Sequence, residues 1–165
     1  MHTTLRNLAA LIFSALAIVT TIAALPALAA STATGPYDEA ADAKADIAAA
    51  LTAAKADKKP VLVVFGANWC GDCKMLDMAF KEGASAPIIA KNYKVVKVDV
   101  QRFTKNVDVA DRYGVPLKKG IPAVAVLDAT GKVLYATKGG ELADARKMGD
   151  AGVADFFARV VGSKP

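Results

Sequence analysis

Cys70 and Cys73 are the only thiols in the chain, and they stand three residues apart. An apolar run rich in β-branched residues at 61–65 precedes them. A helical pattern through Met75, Leu76, Ala79 and Phe80 follows. The pair therefore opens a helix at the end of a buried strand. Spacing of i, i+3 there brings two sulfurs within disulfide reach, with Cys70 exposed at the helix end. The unpaired N–H groups and positive end of the helix favour the Cys70 thiolate and make it the nucleophile. Cys73, one turn inside, is expected to be shielded and to resolve a mixed disulfide. Trp69 supplies a flat apolar lip before the pair. Residues of these types at this spacing point to thiol–disulfide exchange.

Other uses of two cysteines fit less well. An inert disulfide closing so short a loop restricts the unfolded chain little. A metal clip needs further ligands, and none is assigned. The one histidine, His2, lies in a segment expected to be removed, which also closes serine-type triads and the common zinc sites. Met75 and Met78 could help hold a soft Cu(I) ion, although their helical spacing makes them core or lip residues first. A copper or assembly chaperone that uses the Cys pair to hold metal or client is thus the alternative reading.

The expected removal rests on residues 1–29. Arg6 stands in an acid-free start, 8–25 carries no charge, and Ala27, Leu28 and Ala29 form a small-x-small cleavage pattern. This predicts a secretory signal peptide and a periplasmic or secreted protein. The alternative is an anchor formed by 8–25. No cysteine near the site offers a lipid attachment point. Cleavage leaves 20 basic and 16 acidic residues, a net charge of +4 with no basic cluster, which argues for a solvated surface and against nucleic-acid binding.

Length allows one domain, expected at 38–165, behind a flexible lead-in at 30–37. An Ala-rich helix spans about 38–58, starting at Asp38 or a neighbouring acid. Strands follow at 61–65 and 95–100. The helix after the Cys pair is interrupted at Gly83 and Pro87 and resumes at Ile88. A short helix at 107–113 closes at Gly114, and Pro116 reads as an ordinary turn residue. Strands at 123–127 and 132–137 form a hairpin, and a charged loop leads to a closing helix at 153–161. The order predicts an α/β fold with a mixed central β-sheet, helices on both faces and an extra N-terminal helix.

The stretch 61–74, through Trp69, Cys70, Gly71, Asp72, Cys73 and Lys74, resembles the active-site strand, turn and helix of the thioredoxin superfamily. Gly120, Ile121, Pro122 and Ala123 resemble its second signature, and the likeness runs over about 59–161. It looks closest to the periplasmic thiol:disulfide interchange and disulfide reductase or isomerase branch. The resemblance implies the thioredoxin fold, with Cys70 as attacking thiol, Cys73 as resolving thiol and Pro122 as a cis proline facing them. Trp69, Ile121 and Pro122 would bind substrate, Ile121 by backbone pairing with an extended segment. It implies no cofactor, client proteins with disulfides or thiols, a redox partner that recycles the pair, and a monomer.

Three departures bear on mechanism. Val64 stands where many members bury an aspartate that relays a proton for the inner cysteine, leaving Lys97 and Asp99 as candidate substitutes. The central dipeptide is Gly71-Asp72, so these two residues tune the redox pair. Asp72 is expected to oppose the Cys70 thiolate by like-charge repulsion and to favour the reducing over the oxidising direction. The loop at 141–150 is lengthened near the substrate groove, with no role assigned.

Overall fold

The computed structural model describes residues 35–162. The expected signal peptide and residues 30–34 of the lead-in lie outside the described residues. The elements run α1 (Ala43–Asp57), β1 (Val61–Gly66), α2 (Gly71–Lys81), α3 (Ala86–Asn92), β2 (Lys94–Asp99), α4 (Val107–Arg112), β3 (Ala123–Leu127), β4 (Val133–Ala136) and α5 (Ala145–Gly162), with a 3-10 turn at Leu117–Lys119. Among the described residues, no helix is long and apolar enough to cross a membrane.

The sheet order is β2-β1-β3-β4, with β1 parallel to β2 and the other neighbours antiparallel. β1 is central and wholly buried, which is why its sequence is a continuous apolar run without alternation. Its odd residues, Val61, Val63 and Phe65, join the core beneath α1 and α4. Its even residues, Leu62 and Val64, join the core beneath α2, α3 and α5. The strand thus holds two cores apart, and its C-terminal end delivers the chain to the start of α2.

Several boundaries differ from the sequence expectation for local reasons. α1 starts at Ala43, because Asp42 accepts the N–H groups of Lys44 and Ala45 as N-cap; Asp38 instead closes a turn onto Ala40. Pro87 does not interrupt a helix but stands in the first turn of α3, where its missing N–H costs nothing. The lead-in does not stay free as far as residue 37. Tyr37 is 1% exposed, and its backbone N–H and C=O both bond the Asn68 side chain, at 2.9 and 2.8 Å. The charged loop before the last helix is itself partly helical: α5 begins at Ala145 and is broken by Gly149 at φ 65° before it resumes.

The second core closes on aromatics. Phe157 is fully buried and meets Phe80, Tyr93 and Phe156 edge-on. Phe157→Ala is expected to cost about 3–5 kcal/mol, the range for truncating a buried aromatic, as checked by urea unfolding. A loss well under that range would mean that α5 collapses onto the gap.

Candidate active site

Cys70 is the N-cap of α2, and its sulfur accepts the backbone N–H of Cys73 at 3.1 Å. The two cysteines are joined as a disulfide. A helix N-terminus therefore points one of its free donors at the Cys70 sulfur, which stabilises negative charge there when the bond is opened. The anticipated contrast in exposure is smaller than expected. Cys70 is 5% exposed and Cys73 0%, so Cys70 keeps only a narrow accessible surface rather than standing free. What narrows it is the loop before β3: the Ile121 carbonyl lies 3.6 Å from the Cys70 sulfur, and the Ile121–Pro122 peptide is cis. Trp69, the residue before Cys70, is 49% exposed.

Beneath the disulfide lies a group absent from the sequence reading. A Cβ on Gly66 would fall 2.2 Å from the Tyr37 hydroxyl and 3.0 Å from the Cys73 sulfur, so glycine alone lets these groups share the space. Burial, and then the charges of Asp77 and Asp99, push the Tyr37 hydroxyl far above its ordinary range, so it stays protonated. A lone large aromatic in a stretch of small residues was the available signal.

The two candidate proton acceptors separate clearly. Lys97 is bonded to Asp77 on α2, which also pairs with Lys81 at 2.9 Å. Burial works against the Asp77 carboxylate, but both lysines outweigh it and hold the carboxyl below the usual range. Asp99 is different. It lies opposite Gly66 in the β1–β2 register and is buried, with Oδ1 lacking a hydrogen-bond partner. Burial pushes its carboxyl up; the Gln101 N–H opposes this, Glu39 adds to it and Lys105 offsets it.

A carboxyl raised in the folded state binds its proton more readily there than in the unfolded chain, so it subtracts stability as pH rises. The penalty is absent below the unfolded value of about 3.9 and complete above the raised value. Asp99→Asn is therefore expected to have a higher Tm than wild type at pH 7 and the same Tm near pH 3. Thermal unfolding across pH checks this, and a constant difference would contradict it.

Above the motif, Asp72 has a partner that the sequence did not reveal. Its carboxylate accepts the backbone N–H of Arg146 at 3.0 Å and pairs with the Arg146 guanidinium at 3.1 Å. Arg146 lies in the first turn of α5, so Asp72 caps that helix from another part of the chain. Burial opposes the charge, but these contacts prevail and hold the carboxyl below the usual range. The guanidinium also lies against Gly71, 3.2 Å from where a Cβ would be. The 141–150 segment thus acquires a role: it delivers a cation to the dipeptide between the cysteines. Asp150 anchors its far end by accepting the Ala84 N–H at 2.8 Å.

The loop at 101–106, beside Trp69, is unusual in its backbone. Gln101, Phe103 and Asn106 have φ of 49°, 64° and 55°. Left-handed conformation costs a non-glycine residue roughly 1–2 kcal/mol. Trp69 Nε1 donates to the Gln101 carbonyl at 2.8 Å, and the Asn106 amide donates to the Asp99 carbonyl at 2.8 Å. Met75 and Met78 line a surface cleft with Glu82 and Asp150. Among the described residues, no group of three or more His, Cys, Asp or Glu side chains gathers as a metal site.

A family model described as thioredoxin-like matches residues 42–129, from the N-cap of α1 through β3. The chain belongs to the thioredoxin-like family. Its fold is the thioredoxin fold, with α1 added before the first strand. A crystal structure described as a disulphide isomerase from Xylella fastidiosa Temecula1 is 50% identical, with a TM-score of 0.74, and the match covers 78% of this chain and 98% of that one. A thioredoxin from Acidithiobacillus ferridurans is 38% identical over 88 residues, which are 53% of this chain and 72% of that protein. The thioredoxin-like match includes both Cys70 and Cys73, and it ends just after the Ile121–Pro122 loop and β3.

Proposed function

We propose that this thioredoxin-like protein is an exported thiol–disulfide oxidoreductase that reduces or isomerises disulfides of client proteins. The observation that carries the reading is the Cys70–Cys73 disulfide at the N-terminus of α2, with the Cys73 N–H on the outer sulfur. Its 50% identity to a protein described as a disulphide isomerase supports this chemistry over metal or client holding.

In the reduced protein, the Cys70 thiolate attacks one sulfur of a client disulfide and releases the other as a thiolate. The Cys73 thiol gives up its proton and attacks Cys70, which re-forms the internal disulfide and frees the second client sulfur. Two electrons pass from the protein to the client. A separate dithiol must return them, so a reducing partner completes the cycle. In isomerisation, a client thiol displaces Cys70 before Cys73 attacks, and no net electrons move. Asp99 is our candidate proton acceptor for Cys73, since its carboxyl is buried and pushed upward while Lys97 is engaged by Asp77. Trp69, Ile121 and Pro122 form the client-facing rim, and the protein acts as a monomer without a cofactor.

Residues 1–29 are read as a cleaved leader that brings the domain to the periplasm or the exterior. Intact-mass measurement of exported protein should show a start near Ala30; material that retains Met1 would favour an anchor. The reaction itself is tested by supplying reduced protein with insulin and with scrambled ribonuclease, while titrating Cu(I) in parallel. Turnover on either protein supports the oxidoreductase. Tight stoichiometric Cu(I) binding without turnover would replace it with the chaperone reading.

A further inference from the structure

The redox reading leaves unexplained why a strained loop stands beside the reactive pair. Of the six residues at 101–106, three non-glycines adopt left-handed φ, and Phe103 is one of them. A bulky residue rarely takes this conformation, and such strain concentrates where a surface has work to perform. Its visible consequence here is exposure. Phe103 is 42% exposed and packs edge-on against Trp69, with ring centroids 6.0 Å apart. Among the described residues, these are the two large aromatics left open to solvent, and they are neighbours. Hydrogen bonds from Trp69 to Gln101 and from Asn106 to Asp99 tie the loop to the active-site turn and to β2. The patch is therefore held in place relative to Cys70.

Charge narrows the choice of occupant. The loop contains Arg102 and Lys105 and no acid. Lys105 is engaged by the carbonyls of Glu39 and Ala41. Arg102 makes no ion pair among the described residues, and its guanidinium lies 5.7 Å from the Trp69 ring centroid. On the other side of the motif, Arg146 is occupied by Asp72. The surface beside Trp69 thus offers an apolar platform with the Arg102 cation at its edge.

We infer that the 101–106 loop is a specificity lip that reads the client: the Phe103–Trp69 platform takes an apolar side chain, and Arg102 takes a carboxylate, from the extended segment flanking the client cysteine. This deepens the oxidoreductase reading and rests on it. An extended strand advances about 3.3 Å per residue, so a platform adjoining the residue before Cys70 samples side chains within a few positions of the client sulfur. Aromatic packing and a charge-assisted contact would each strengthen a short encounter.

The test uses reduced mature protein and four short peptides. Each carries one cysteine capped as a mixed disulfide with thionitrobenzoate, whose release is followed by absorbance. The residues on both sides of the cysteine are Phe and Asp, Gly and Asp, Phe and Lys, or Gly alone. The expected result is a second-order rate constant about ten-fold higher for Phe/Asp than for Gly alone. Exchanging Asp for Lys should cost about two- to five-fold. Phe103→Gly removes the ring while easing the left-handed backbone, so the fold is kept, and it should erase most of the Phe advantage. Arg102→Glu should invert the preference between Asp and Lys. Equal rates on all four peptides would overturn the lip while leaving the redox reading intact, as would an undiminished Phe advantage in Phe103→Gly. Failure of every peptide to release thionitrobenzoate would instead remove the redox reading, and the lip with it.

Discussion

Cys70→Ser is expected to lose all disulfide exchange, whereas Cys73→Ser should begin the reaction and fail to finish it. The difference follows from the helix start. Only Cys70 sits at the N-cap position, where its sulfur receives the Cys73 N–H, and of the two residues only Cys70 keeps any solvent exposure. Cys73 is fully buried and can reach a client only through the Cys70 mixed disulfide. Cys73→Ser should therefore accumulate covalent adducts with client proteins, visible as reducible bands on a gel and as added mass. If both variants lost activity and neither formed adducts, the assignment of roles would be wrong. The smaller exposure contrast found here does not weaken this expectation, because Cys73 has no accessible surface at all.

The second large effect concerns the potential, and the charges around Asp72 give two variants opposite signs. Arg146→Ala leaves the Asp72 carboxylate uncompensated beside Cys70, disfavouring the thiolate and making the disulfide harder to reduce. Asp72→Asn leaves the guanidinium uncompensated against Gly71, the residue after Cys70, and the potential should rise. The exposed guanidinium is screened by solvent, so each shift should be at most about 30 mV, one tenfold step for a two-electron couple. The double variant should return close to wild type. Glutathione redox titrations of the four proteins check this. Shifts of the same sign in both single variants would show that the pair does not act through charge. Read from the sequence, Asp72 opposes the Cys70 thiolate, and Arg146 now offsets that charge.

The fold was legible because its signals are local. The unbroken 61–65 run, the alternation around Val96 and Val98, and the hairpin turn at 128–131 each follow from neighbouring residues and their periodicity. The Cys pair was legible for the same reason, since a strand followed by Cys-x-x-Cys fixes its own helix cap. What escaped is long-range. Tyr37 is fixed by Asn68, 31 residues away, and Arg146 meets Asp72 across 74 residues, so no periodicity links either pair. The helical first turn of α5 is concealed by Gly149, which reads as a loop residue until its partners are known. The exposure of Phe103 arises from backbone angles that the loop's composition does not announce.

The most direct test of the account is a glutathione redox titration of the wild-type mature protein, with Cys70 and Cys73 quantified by thiol trapping and mass spectrometry. One reversible two-electron transition is expected, in which both cysteines change together. Asp72 and Arg146 offset each other, and residues 30–165 hold no histidine that could acidify Cys70, so the midpoint should lie nearer about −270 mV than about −120 mV, the reducing and oxidising reference values for such dithiols. A pair that stays oxidised at every glutathione ratio would be a structural disulfide and would contradict the account.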